Sequence, residues 1–265
     1  MVIKMKQLHI LYFSPVGTTK RIAEEIYNGL TPEEVHWIDL SLPENRENPL
    51  SFTDEDAVLM VFPVYAGRVV RLPRYFFKKL QGNGARAINV VTYGNRAYDD
   101  ALLELSQLSK DAGFVNMSAA AFVCEHAFGI GLAEGRPDAS DCEKARNFGK
   151  LTARKWADDS LDEKGLNIPG EMPFRTQFRH DFGGPLVPET SEACSDCGVC
   201  AKSCPAEAID RVNPRVTDAK RCIACFRCIR HCPKKARAIQ LSDFVNHAKW
   251  LAETFKERKE PDIFI

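Results

Sequence analysis

Short apolar runs alternate with amphipathic stretches over the first ~160 residues. Runs at 7–13, 34–40, 57–62, 86–92 and 114–124 are rich in Val, Ile, Leu, Phe and Met and mostly apolar on both faces, as buried parallel strands are. Helical patterns fill 18–30, about 73–80, 98–111 and 138–158. In the first of these, Ile22, Ile26 and Leu30 share one face. This alternation predicts βαβ units and an α/β doubly wound parallel sheet. Five strands suit the order 2-1-3-4-5 better than a six-stranded dinucleotide fold. The periodicity ends in a Gly/Pro-rich linker at 161–190, with four Gly and four Pro between Lys164 and Thr190. Phe174, Phe178 and Phe182 recur there at every fourth residue, and are expected to tie the linker onto a domain surface. A stripe of Leu241, Phe244, Val245, Ala248, Leu251 and Phe255 predicts a docking helix near 242–258, within a C-terminal segment spanning 241–265.

Of the 265 residues, 45% are hydrophobic and 27% charged, which excludes whole-chain disorder. No apolar run approaches the ~20 residues of a membrane span. Leu8–Phe13 runs into a Ser-Pro-Val-Gly turn and reads as a strand rather than a signal segment, so a cytoplasmic protein is expected. Residues 1–165 carry 20 Lys/Arg against 23 Asp/Glu, net −3; residues 166–265 carry 16 against 13, net +3. Neither half is basic enough to point to nucleic acid.

The cysteines change the picture more than the composition does. Eight of the ten lie between Cys194 and Cys232, a density that points to metal rather than to a secreted disulfide scaffold. The motif C-x2-C-x2-C-x3-C-P occurs twice, 28 residues apart: Cys194, Cys197, Cys200, Cys204, then Cys222, Cys225, Cys228, Cys232. In this spacing three thiolates of one loop wrap a [4Fe–4S] cubane and the fourth ligates the other cluster. The first cluster is therefore expected on Cys194, Cys197, Cys200 and Cys232, the second on Cys222, Cys225, Cys228 and Cys204. Structural zinc is the alternative, but zinc favours ligands in pairs, not four-Cys loops ending in proline. The segment 191–240 resembles the bacterial two-cluster ferredoxins, which implies a small α+β pseudo-twofold ferredoxin domain with its clusters close enough for one-electron exchange. Unlike many of those, it carries seven Lys/Arg and no acid between Asp218 and Asp243: Lys220, Arg221, Arg227, Arg230, Lys234, Lys235 and Arg237. This 220–237 face either offsets cluster charge or docks an acidic redox partner protein.

A second chemistry sits in the first 160 residues. Ser14, Pro15, Val16, Gly17, Thr18 and Thr19 form a hydroxyl- and glycine-rich turn opening into a helix, where free N–H groups and the helix dipole favour a phosphate. It matches neither a Walker A loop nor GxGxxG. The third strand ends in Pro63, Val64, Tyr65, Ala66, Gly67 and Arg68, the fourth in Tyr93, Gly94, Asn95, Arg96 and Tyr98. Strands 1, 3 and 4 put these ends side by side at the switch point of such a sheet. The three loops resemble those of the flavodoxin family over 1–158. The resemblance implies FMN, its phosphate on Ser14 to Thr19 and its ring between Tyr65–Gly67 and Tyr93, Gly94, Asn95 and Tyr98. Val16 stands where that family usually has a hydroxyl, and Arg68 or Arg96 is a candidate source of compensating charge.

The whole arrangement resembles the flavodoxin–ferredoxin fusion proteins of anaerobic prokaryotes. That implies an electron-transfer protein passing single electrons between two [4Fe–4S] clusters and FMN. A ferredoxin-fed flavin reductase of a quinone or nitro acceptor and a redox-responsive interaction protein are the alternatives. Among the remaining candidates, Cys124 reads as a buried apolar residue and Cys142 as a helix-start thiol open to thiolate stabilisation. Glu125-His126 is a candidate proton relay at the flavin edge.

Overall fold

Hydrophobic strands flanked by helices close into one twisted sheet in the computed structural model, which describes residues 5–158, 165–174 and 186–265. The strands are β1 (Gln7–Tyr12), β2 (Glu34–Asp39), β3 (Asp56–Tyr65), β4 (Arg86–Tyr93) and β5 (Val115–Val123). They pair in parallel in the order β2-β1-β3-β4-β5, the 2-1-3-4-5 arrangement. Helices α1 (Thr18–Leu30) and α4 (Ala139–Ala157) cover one face, where Ile22, Ile26, Ala145 and Phe148 are fully buried. Helix α3 (Ala101–Asp111) and the short α2 (Arg71–Phe76) cover the other, around Leu102, Leu105 and Phe76. The β2 edge is only half covered, with Trp37 exposed.

Three expectations are corrected. Helix 73–80 is a single α-turn at 71–76 continued as a 3-10 turn over Phe77–Lys79. The region 98–111 becomes helical only at Ala101, because Tyr98–Asp100 is a turn in which Asp99 takes a left-handed backbone. The helix expected to reach residue 258 ends at Thr254, and the tail beyond it adds a sixth strand, β6 (Asp262–Phe264). β6 pairs antiparallel with β5, Asp262 opposite Ala121 and Phe264 opposite Ala119.

The C-terminal module is built from two one-turn helices, α5 (Val199–Lys202) and α6 (Arg227–Arg230), and a strand pair joining Glu189–Thr190 to Arg237–Ala238. Helix α7 (Ser242–Thr254) follows. It docks as its stripe predicts, through Phe244, Ala248 and Leu251, while Val245 stays exposed. In the linker, Ile168 enters the core of the sheet domain, and Phe174 lies under the Arg68 guanidinium at 5.1 Å. Phe178 and Phe182 lie outside the described residues. No helix among the described residues is long and apolar enough to cross a membrane.

Candidate functional site

The eight motif cysteines gather as the spacing predicts. Cys204, Cys222, Cys225 and Cys228 line one cavity of about 400 Å³, walled by Pro205, Ile209, Ile223, Phe226 and Ile239. Cys194, Cys197, Cys200 and Cys232 line a second of about 330 Å³. Among the described residues no three Cys, His, Asp or Glu converge on a single-ion site. The four cysteines lining each cavity fit the ligand set of a [4Fe–4S] cage. Backbone N–H groups already aim at the sulfurs: Ala208 at Cys204 (3.3 Å), Ala236 at Cys232 (3.2 Å) and Ala224 at Cys222 (3.5 Å). Burial pushes the Cys225 thiol up to about 12 and that of Cys228 up to about 11, so iron binding there must release protons.

The buried Arg237 braces both cages. It donates to Pro214 O (2.7 Å), Pro188 O (3.3 Å) and Thr217 Oγ1 (2.5 Å), and lies 3.8 Å from the Cys200 sulfur. This accounts for one member of the basic run. Arg221 reaches Glu207 (3.3 Å), Arg230 pairs with Glu125 (2.7 Å) and Arg227 points into the sheet domain. The run is therefore mostly spent inside the molecule, and Lys220, Lys234 and Lys235 are its exposed remainder. The reason is folding of the loop: four of the seven side chains meet acceptors that are distant in sequence.

The second cage sits on the carboxyl end of the sheet. Arg227 Nη1 donates to Pro15 O (2.9 Å), Arg71 to Arg221 O (3.2 Å) and Arg46 to Pro205 O (2.5 Å). Phe226 packs on Phe128 of the loop after β5 and on Phe244 of α7, with centroids at 4.6 and 5.7 Å. Ile223 packs against the core of the sheet domain. The Tyr65 phenol is held well above its ordinary range, by burial first and then by Cys225 and Cys222. All these contacts come from residues 221–230 or from Pro205, beside the second cage. In the first cage, Cys197 is exposed.

The phosphate turn keeps its expected form. Gly17, at φ 94°, takes the left-handed backbone that an L side chain resists, and as the N-cap residue of α1 it offers no side-chain acceptor. The Ser14 hydroxyl accepts from Lys20 N (3.0 Å), and the Thr19 hydroxyl meets that of Thr92 (2.7 Å). These residues fit a phosphomonoester. The segment 63–67 is not a loop. β3 continues through Pro63, Val64 and Tyr65 and turns at Ala66-Gly67 to pair with Arg68–Val69. Glu104 on α3 anchors this hairpin, accepting from Arg68 (2.6 and 2.8 Å) and from Val69 N (2.9 Å).

The β4 end is a correction. Asn95 donates to Phe255 O (2.5 Å) and Glu257 O (2.8 Å) and accepts from Lys259 N (3.3 Å). Tyr98 donates to Asp262 (2.7 Å) and packs edge-on against Tyr93. These side chains hold the C-terminal strap, so their polar groups are not free to read a ring as expected. Gly94 is pressed under His126; a Cβ there would lie 2.3 Å from the imidazole. For a flavin ring, the Tyr65 hairpin, the backbone at Gly94 and the His126 roof remain. Burial lowers His126 to about 4, so its imidazole is neutral, and Glu125 is paired with Arg230. Cys124 and Cys142 are both buried, and burial pushes both thiols up, Cys124 to about 12. The thiolate reading of Cys142 is overturned by that desolvation. The strap and the contact made by Phe226 have no signal in the sequence, and Arg227 stands there only as a member of the basic run.

Residues 187–233 match the 4Fe-4S dicluster domain. The chain is a flavodoxin-like α/β domain joined to that iron–sulfur module. Among solved structures it is similar to a flavodoxin from the domain Archaea (16% identity, TM-score 0.41, covering 57% of this chain and 98% of the other). It is also similar to a Streptococcus pneumonia TIGR4 flavodoxin (17%, 0.40, 56% and 99%) and to an apo NADH:FMN oxidoreductase (15%, 0.38, 56% and 89%). No curated protein matches the chain significantly.

Proposed function

We propose that this chain is an electron-transfer protein holding two [4Fe–4S] clusters and one FMN. Cys194, Cys197, Cys200 and Cys232 hold the outer cluster, and Cys204, Cys222, Cys225 and Cys228 the inner one. The turn Ser14–Thr19 holds the flavin phosphate, and the Tyr65 hairpin and Gly94 flank the ring. When bound, the clusters supply one-electron transfer and the flavin supplies storage of one or two electrons. The chain fixes the order of the stations. Arg227, Phe226 and Ile223 seat the inner cage on the flavin end of the sheet, and His126 and α7 shut water out around them. The observation that carries this reading is the seat of the inner-cage loop on the phosphate turn, where Arg227 Nη1 donates to Pro15 O at 2.9 Å. Fusion keeps the modules at high effective concentration, so transfer between them does not wait on diffusion. A redox partner with an acidic face meets the outer cage, beside Lys234 and Lys235.

Protein purified anaerobically tests the reading through its iron, acid-labile sulfide and extracted flavin per chain. About eight irons, eight sulfides and one FMN are expected. Full iron with no flavin, and none taken up on adding FMN, would sink the flavin assignment.

A further inference from the structure

We propose that Arg227 of the iron–sulfur module completes the flavin phosphate site of the other domain. The proposal rests on the FMN assignment above. The turn at 14–19 lacks a hydroxyl at Val16, its N-cap residue Gly17 has no side chain, and the Ser14 hydroxyl is already taken by Lys20 N. Two arginines near the ring loops are neutralised by partners of their own. Glu104 takes Arg68 in a two-pronged pair, and Asp99 takes Arg96. Lys20, in the first turn of α1, pairs with Glu24 one turn further on (3.5 Å). Arg227 differs from all three. It crosses from the cage loop to within 2.9 Å of Pro15 O, inside the turn, and has no carboxylate partner among the described residues. Its Nε is fully buried, and the residue also lines the inner cage.

Guanidinium is the side chain best matched to phosphate oxygens, and Arg227 brings one to the turn without a carboxylate to neutralise it among the described residues. Its position directly before Cys228 has a consequence. The phosphate site is whole only when the cage loop is folded, so flavin affinity is linked to cluster assembly, and the linkage is reciprocal. The residue also sets specificity, favouring FMN over riboflavin, which lacks the phosphate.

The test uses the full chain, cluster-loaded and flavin-free, titrated anaerobically with FMN and with riboflavin by flavin fluorescence. R227Q should weaken FMN about tenfold to a hundredfold, the worth of one charge-assisted bond, and leave riboflavin unchanged. R227K should fall between. Inorganic phosphate should compete with FMN, and not with riboflavin, on the unmodified protein. Unchanged FMN affinity in R227Q, or equal loss of both flavins, overturns the proposal. If R227Q fails to retain its iron, the phosphate competition and R227K decide; no competition by phosphate overturns it. A native chain that binds neither flavin fails the FMN assignment instead, which is a separate result.

Discussion

Glu104 is the polar residue on which the hairpin under the ring site depends. Only 2% of it is exposed. Its two oxygens accept from Arg68 at 2.6 and 2.8 Å, from Val69 N at 2.9 Å and from Arg74 at 3.4 Å. Glu104→Ala leaves the Arg68 charge and a buried backbone N–H without their acceptor. Breaking one side of a buried ion pair costs about 3–5 kcal/mol, which lowers the melting temperature of the sheet domain by roughly 6–20 °C. Glu104→Gln keeps one oxygen, able to accept from Val69 N and Arg68 Nε, but sets an NH2 against the Arg68 and Arg74 donors, so it should recover only part of that loss. Replacing Arg68 and Glu104 together with Met should recover part of the loss, because no unpaired charge remains. The assay is denaturant unfolding with Tyr and Trp fluorescence as the probe, the native chain, Arg68→Met, Glu104→Met and the double Met variant forming the double-mutant cycle. A cost under about 1 kcal/mol for Glu104→Ala, or a coupling energy near zero, would refute the reasoning.

Other outcomes follow from burial and topology. His126 has its folded value lowered to about 4 against 6.5 when unfolded. The unfolded chain therefore takes up a proton that the fold refuses, and stability present above pH 6.5 is lost as pH falls towards 4. The loss is about 3 kcal/mol at full development, and His126→Phe should remove that slope from denaturant midpoints measured between pH 7 and 5. Cys124 and Cys142, 3% and 4% exposed, should resist iodoacetamide in the native holoprotein and react once it is unfolded; mass spectrometry reads the difference. Ending the chain at Thr254 removes β6 and bares the β5 edge, so light scattering should show association that the full chain does not. Asn95→Leu, which releases the strap at Phe255 and Glu257, should speed hydrogen exchange at 262–264 without exposing β5 permanently.

What the sequence made legible was local. Strands with unbroken apolar runs, such as Val58–Phe62 and Ala119–Val123, and cysteine loops with fixed spacing both carry their structure within a few residues. The strap does not. Asp262–Phe264 is too short for periodicity to register, and it becomes a strand only because β5 offers an open edge. The fate of Asn95 and Tyr98 was hidden for the same reason, since their partners lie about 160 residues away. Pro63–Gly67 was misread because the strand outlasts its apolar run. Pro63 ends the hydrophobic signal, yet the hairpin with Arg68–Val69 carries pairing past it. The basic run was open to two readings in sequence because side-chain direction, not composition, decides whether a positive residue faces solvent or a carbonyl.

One feature of the asymmetry was nonetheless written in the repeat. The two cysteine loops superpose in sequence at a shift of 28, so either could have faced the sheet domain. At equivalent positions the first loop carries Ser195, Gly198, Val199 and Lys202, and the second Ile223, Phe226, Arg227 and Arg230. Each of those four second-loop residues makes a contact with the sheet domain. Gly198 and Phe226 both cap their one-turn helices with a left-handed backbone, at φ 71° and 62°. A glycine adopts that conformation freely, whereas a bulky aromatic side chain resists it. Phenylalanine is held there by its ring, wedged between Phe128 and Phe244. Where a duplicated motif accepts local strain in one copy and not the other, tertiary packing supplies the difference. The choice of inner cage is therefore set by substitutions between two loops that share only their cysteine and proline positions, not by the linker that joins the modules.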